Sequence, residues 1–165
     1  MTATDFIQHL HMLPHPEGGY FKETYRSEGL IPRSALDSGF SGDRPYSTAI
    51  YFLLQSGDYS AFHRIKSDEC WHHYEGGVLL VHMIDREGEY SCIRLGKRVD
   101  RGEVFQFVVP ANCWFASEPA PGEDFALVGC TVAPGFDFAD FEMARHEDLL
   151  EQYPLHRSHI ERLCR

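Results

Sequence analysis

Positive charge is scarce in this chain. Fifteen Lys and Arg stand against 25 Asp and Glu, the net charge is −10 with histidine neutral, and no basic block occurs. Phosphate backbones need clustered Lys and Arg, so nucleic acid is not an expected partner. An anionic membrane surface is disfavoured for the same reason. Long apolar runs are missing too: none reaches the roughly 20 residues that span a bilayer. Residues 1–13 lack the positive region and apolar stretch of a secretory signal. Cysteine is sparse and unpatterned. Cys70, Cys92, Cys113, Cys130 and Cys164 are odd in number, widely spaced and form no C-x-x-C pair. That usage implies reduced, structural thiols and a cytoplasmic protein. No G-x-S-x-G, phosphate loop or dinucleotide fingerprint is present. Cys113 has no His–Asn partner nearby in sequence that would make it a nucleophile.

What remains is a β-rich chain. Its 165 residues, 43% hydrophobic and 13% aromatic, suffice for one domain with a real core. No internal repeat, linker or low-complexity tract divides it, so residues 1–165 are expected to form a single domain. Short β-rich runs fall at 20–27, 46–54, 60–65, 70–74, 78–84, 90–95, 104–109, 113–117 and 125–132. Turn signals such as Gly57-Asp58, Gly76-Gly77, Glu87-Gly88 and Pro121-Gly122 separate them. This spacing argues for an antiparallel sandwich or barrel. A short helix opens the chain, capped by Thr4 or Asp5 and ended by Pro14 and Pro16. A second runs to Gln152 from a cap at Asp137 or Asp140, Pro154 breaks it, and another short helix follows. The acidic segment 142–151 is expected to be a solvated helix face. Residues 29–44 form the one long irregular segment, of the kind that serves as a lid or a partner contact.

The densest chemistry lies between Gly57 and Gly76, in the frame G-x5-H-x-I-x3-E-x6-G, with His63, Ile65 and Glu69 at the marked positions. This resembles the first signature of the cupin superfamily, G-x5-H-x-H-x3/4-E-x6-G. A candidate second signature, P-x-G-x2-H, falls on Pro110 to Phe115. The resemblance extends to His15-Pro16-Glu17-Gly18-Gly19-Tyr20-Phe21, to Ile50 through Leu54 and to Thr131-Val132-Ala133-Pro134-Gly135-Phe136-Asp137-Phe138. Together these runs look like the cupin subfamily described as a domain of unknown function. The resemblance implies an all-β, double-stranded β-helix (jelly-roll) barrel with short terminal helices and an internal pocket. It also implies a homodimer.

Cupin pockets usually hold a metal on two histidines and a glutamate of the first signature and a histidine of the second. Here Ile65 and Phe115 replace two of those ligands, so no metal or other cofactor is expected. A rebuilt site of His63, Glu69 and His73 is a third-ranked alternative. With both facing the cavity, His63 and Glu69 form a proton-transfer pair. The similarity to deoxysugar-nucleotide epimerases, which are metal-free cupins, implies that His63 stands where such a base sits, while the epimerase carboxylate and tyrosine have no counterpart that maps onto this sequence. A carboxylate on one ring nitrogen raises the basicity of the other. Tyr20, Arg26, Tyr51, Trp71, His73 and Gln106 are the candidate ligand-binding residues. Several have a plainer alternative: Arg26 as an internal ion pair, Trp71 as core, His73 as a satisfied core or surface histidine, Gln106 as a solvated edge residue. Glu17-Gly18-Gly19 is read as a turn requirement.

The expected function is a metal-independent isomerase or epimerase acting on a small polar carbonyl compound, a sugar or sugar-nucleotide. The alternative is a non-catalytic cupin that binds a small ligand as a sensor or carrier.

Overall fold

A computed structural model describes all residues, Met1–Arg165. Helix α1 (Ala3–His9) opens the chain. The Asp5 amide donates to the Thr2 hydroxyl at 3.3 Å and the Thr2 amide donates to the Asp5 carboxylate at 2.7 Å, a reciprocal capping box. The cap therefore lies two residues ahead of Thr4, because Asp5 serves inside the first turn.

Thirteen strands follow: β1 (Leu13–Pro14), β2 (Tyr20–Arg26), β3 (Leu30–Ile31), β4 (Arg44–Pro45), β5 (Thr48–Gln55), β6 (Ser60–Arg64), β7 (Asp68–Gly76), β8 (Leu79–Ile84), β9 (Tyr90–Leu95), β10 (Gln106–Val109), β11 (Trp114–Pro119), β12 (Phe125–Ala133) and β13 (Glu142–Met143). Helices α2 (His146–Gln152) and α3 (Arg157–Leu163) close the chain. The strands form a six-stranded sheet in the order β1-β2-β5-β12-β7-β10 and a five-stranded sheet in the order β13-β6-β11-β8-β9. A small β3-β4 pair stands apart. The ladders within each sheet are antiparallel, the architecture of a jelly-roll barrel.

Side chains alternate across a strand, so each sheet has two distinct faces. The inner faces supply the main core, where Phe52, Leu54, Trp71, Leu79, Val81, Phe115 and Val128 meet. The outer face of the five-stranded sheet carries Phe62, Trp114 and Ala116, covered by Leu149 of α2 and Ile160 and Leu163 of α3. Helix α1 covers one end of the outer face of the six-stranded sheet, packing on Leu53 and Leu127.

Two segments differ from the sequence reading. Asp137 does cap, but only the 3-10 turn Phe138–Asp140, where its carboxylate accepts the Ala139 amide at 2.8 Å. The chain then extends into β13, whose Glu142 accepts from Arg64 at 2.7 Å. The helix begins only at His146, so the first four residues of the acidic segment, 142–145, are strand and loop. Residues 29–44 are also tied down. Arg44 donates to both oxygens of Asp140, at 2.6 and 2.7 Å, with both side chains buried. Lys66 donates to the Gly39 carbonyl at 2.7 Å and lies 3.6 Å from Asp140. The long loop thus pins the 136–141 segment.

Candidate functional site

Along each inward face the residue type changes from one barrel end to the other. On β5, Phe52 and Leu54 enter the core while Thr48 and Ile50 line an open cavity. On β12, Ala126 and Val128 enter the core while Cys130 and Val132 line the cavity. Apolar side chains fill one half of the barrel, and the other half holds a cavity of about 300 Å³.

His63 comes from β6 and Glu69 from β7, and both face this cavity. The carboxylate bonded to His63, however, belongs to Glu17. His63 Nε2 lies 2.9 Å from Glu17 Oε2, both groups being buried. His63 Nδ1 donates to the Ala61 carbonyl at 2.7 Å. Burial pushes the His63 imidazole down, but the Glu17 charge and hydrogen bond outweigh it and hold the group above its ordinary value. Burial likewise pushes Glu17 up, and His63 outweighs it and holds the carboxyl below the usual range. Nδ1 faces a carbonyl and Nε2 a carboxylate, both acceptors, so the geometry is that of an imidazolium–carboxylate pair in which both ring nitrogens donate.

Glu69 behaves differently. Burial and the nearby Glu17 charge push its carboxyl up to about 7, with His63 opposing. The Cys130 thiol beside it is raised well above its ordinary value, first by burial and then by Glu69. Glu69 is thus the acid whose proton is exchangeable near neutral pH.

Glu17 reaches the cavity because Gly18 and Gly19 let its turn press against the barrel. Both glycines have positive φ, 116° and 74°. A Cβ on Gly18 would lie 2.1 Å from the Tyr59 carbonyl oxygen, and one on Gly19 would lie 2.6 Å from that of Leu53. The Ala61 amide donates to the Glu17 carbonyl at 2.9 Å, which fixes the turn over β6. His15 lines the same wall. The Glu17 amide donates to His15 Nδ1 at 3.3 Å, which assigns the remaining proton of neutral His15 to Nε2. Burial lowers its pKa.

Arg26 also lines the cavity, although strict alternation along β2 would put Tyr20, Lys22, Thr24 and Arg26 on one face and Phe21, Glu23 and Tyr25 on the other. A register irregularity between Glu23 and Tyr25 inserts one residue into β2. Such a bulge shifts alternation by one, placing Phe21, Glu23 and Arg26 on the cavity side. Arg26 donates to both Glu23 oxygens at 2.9 and 2.7 Å and to the Phe136 carbonyl at 3.0 Å. The far wall comes from Phe136, Asp137, Phe138 and Phe141.

The other candidates lie elsewhere. Tyr20 and Tyr51 are on the outer face and pack with the α1 cluster, because β2 and β5 present Phe21 and Ile50 inward. Trp71 does point inward but is core, edge-on to both Phe52 and Phe115. His73 shares the Glu69 face, yet it lies four residues along the strand, about 13 Å away, with Trp71 between them. Its Nε2 donates to the Gly77 carbonyl at 2.8 Å. Gln106 is exposed, opposite His72.

The metal that cupin pockets commonly carry does not fit these residues. Ile65 lines the cavity and Phe115 is buried against His63, with ring centroids 4.1 Å apart. Both His63 nitrogens are engaged, and no group of three or more His, Cys, Asp or Glu side chains converges as metal ligands.

Comparison with known proteins agrees with the architecture. The family described as "Cupin superfamily (DUF985)" matches residues 4–144. The uncharacterized protein YML079W of Saccharomyces cerevisiae is 34% identical over 149 residues, which cover 85% of this chain and 74% of the yeast protein. A hypothetical protein from Leishmania major superposes with a TM-score of 0.89 at 35% identity, covering 99% of both chains. Protein SO0799 from Shewanella oneidensis gives 0.90 at 41%, covering 100% of this chain and 98% of that one. Oxalate decarboxylase from Bacillus subtilis shares the fold alone, with a TM-score of 0.56 at 15% identity over 95% of this chain and 37% of the enzyme. The chain belongs to the DUF985 family of the cupin superfamily.

Proposed function

We propose that the cavity carries out metal-independent proton transfer on a small polar carbonyl compound, an isomerase or epimerase chemistry. The reading rests on the convergence of Glu69 with the His63–Glu17 pair in one cavity. Glu69, with a carboxyl near 7, takes a proton from the carbon beside the carbonyl and returns it on the other face or to the neighbouring carbon. A base works best when its pKa lies near the operating pH. His63 cannot be the base while both its nitrogens donate, so its part is electrostatic. Its buried positive charge favours the enolate, whose negative charge develops during the transfer. The small cavity suits a sugar-sized ligand, at the lower end of known ligand-pocket volumes.

A second reading is supported by the same engaged imidazole. A pocket with no free histidine base also suits a protein that only binds its ligand, as a sensor or carrier.

Incubation in deuterated water separates the two. A panel of small aldoses, ketoses and hydroxy-carbonyl compounds is followed by NMR for solvent deuterium at carbon. The enzyme reading expects incorporation, reduced about 10²- to 10⁴-fold in Glu69→Gln, with kcat/KM rising as pH passes 7. Absence of exchange across the panel leaves the binding reading.

A further inference from the structure

The charges facing the cavity are unequal. Two cationic side chains, Arg26 and His63, face four carboxyl groups, those of Glu17, Glu23, Glu69 and Asp137. Both cations are already paired. Arg26 uses three of its five N–H donors on Glu23 and the Phe136 carbonyl, and His63 uses both ring nitrogens on Glu17 and Ala61. An anionic ligand would find each positive group already matched by a carboxylate and would meet two further carboxyls, Asp137 and Glu69, with no side-chain cation hydrogen-bonded to either.

The aromatic wall points the same way. Phe136, Phe138 and Phe141 come from one short segment, with ring centroids 5.0, 6.0 and 6.4 Å apart pairwise. The ring planes meet at 80°, 68° and 75°. Three mutually steep rings form a corner, in which Phe141 already stacks on the His63 ring at 5.2 Å and Phe138 on the His15 ring at 6.3 Å, each leaving its opposite face for a ligand. Ring faces are the negative side of the aromatic quadrupole and attract cations, most strongly where water is excluded. Asp137 lies in the same segment, and one of its oxygens accepts the Ala139 amide.

We propose that the cavity recognises a compact organic ammonium, an amine or quaternary amine, held by the phenylalanine corner and the surplus carboxylates. The inference rests on this cavity being the ligand site, and it narrows the substrate class to an amine-bearing compound such as an amino sugar. It also sets a linkage. A bound cation favours the ionised form of Glu69, so ligand entry itself turns that group into a base.

The test uses three probes of one shape: choline, its neutral isostere 3,3-dimethylbutan-1-ol, and the anion 3,3-dimethylbutanoate. Each is titrated into the full chain while the phenylalanine ring resonances are followed by NMR. Choline is expected to bind about tenfold or more tighter than the alcohol, the size of a desolvated cation–π contact, and the anion more weakly still. Phe138→Leu keeps apolar bulk at a side chain that is 55% exposed, so the fold tolerates it, and it is expected to remove most of the choline preference. Equal binding of alcohol and choline overturns the ammonium class while leaving the cavity as a ligand site. Ring resonances unmoved by about 50 mM choline, weaker than any useful recognition, overturn it as well. Choline binding without deuterium exchange on any carbonyl compound supports the ammonium class and removes only the isomerase reading.

Discussion

Position 69 shows what burial does to one carboxyl. Glu69 moves from an ordinary value of 4.5 to about 7, chiefly because its ionised form is poorly solvated in the barrel. A group with a raised folded-state value contributes most stability below its unfolded value, and that contribution is lost as pH rises through the folded value. For Glu69 the loss runs from about pH 4.5 to 7 and amounts to about 3 kcal/mol. Glu69→Gln removes the titration and keeps the shape. Urea unfolding of wild type and variant at pH 5 and pH 8 should show the variant gaining on wild type at the higher pH. A pH-independent difference would mean that Glu69 ionises freely. The same residue shows what sequence offers at this scale. The spacing of His63 and Glu69 put both in one pocket, but no local pattern could pair His63 with Glu17, more than forty positions away. The one available signal was an acid between a proline and two glycines, which reads equally well as a turn.

At the scale of elements, alternation made nine strands legible, because turn signals bound each of them. It failed where a strand carried an extra residue. The bulge in β2 turned Arg26 to the cavity side, and strand-to-strand register decided it. The two-residue strands were illegible, since β1, β3, β4 and β13 exist only through their partners. The packing of α3 carries its own prediction. His82 of β8 is buried beneath that helix. Its Nδ1 accepts from the Tyr90 hydroxyl at 2.7 Å, and its Nε2 lies 3.2 Å from Glu118, to which it donates when neutral. His159 stacks on Tyr90 at 4.1 Å, and Arg162 pairs with Glu118. Burial, opposed by Glu118 and aided by Arg162, lowers His82 to about 4. A depressed folded value means stability present above about 6.5 and lost as pH falls towards 4, on the order of 2–3 kcal/mol. His82→Gln, which can make both hydrogen bonds without titrating, should lose less stability than wild type between pH 7.5 and 4.5. Equal losses would place the acid sensitivity elsewhere.

At the scale of the molecule, the outer face of the six-stranded sheet is only partly covered. Helix α1 packs on one end, and beyond it Tyr25, Tyr74 and Val108 remain 54%, 45% and 45% exposed. Tyr74 lies flat over Gly129, where a Cβ would meet its hydroxyl oxygen at 2.3 Å, so the face is shaped as well as apolar. Strand β10 is the edge of that sheet, and Phe105 just before it is 56% exposed. An open apolar edge invites pairing with another chain, and exposed apolar surface of this kind marks interaction sites. The acidic surface opposes unspecific association, since the chain carries a net charge of −10, so contact should be confined to this less charged face. We propose that it joins two copies of the chain. Sedimentation equilibrium is then expected to give twice the chain mass for wild type. Val108→Lys, a charge on the exposed side of the edge strand, should shift the protein to monomer with its melting temperature measured at low concentration unchanged. A wild-type monomer at micromolar concentration would refute the pairing. A dimer indifferent to Val108→Lys would move the contact to another surface. The cavity lies on the inner side of the same sheet, so a monomeric variant that still binds choline would show that each barrel is a complete site.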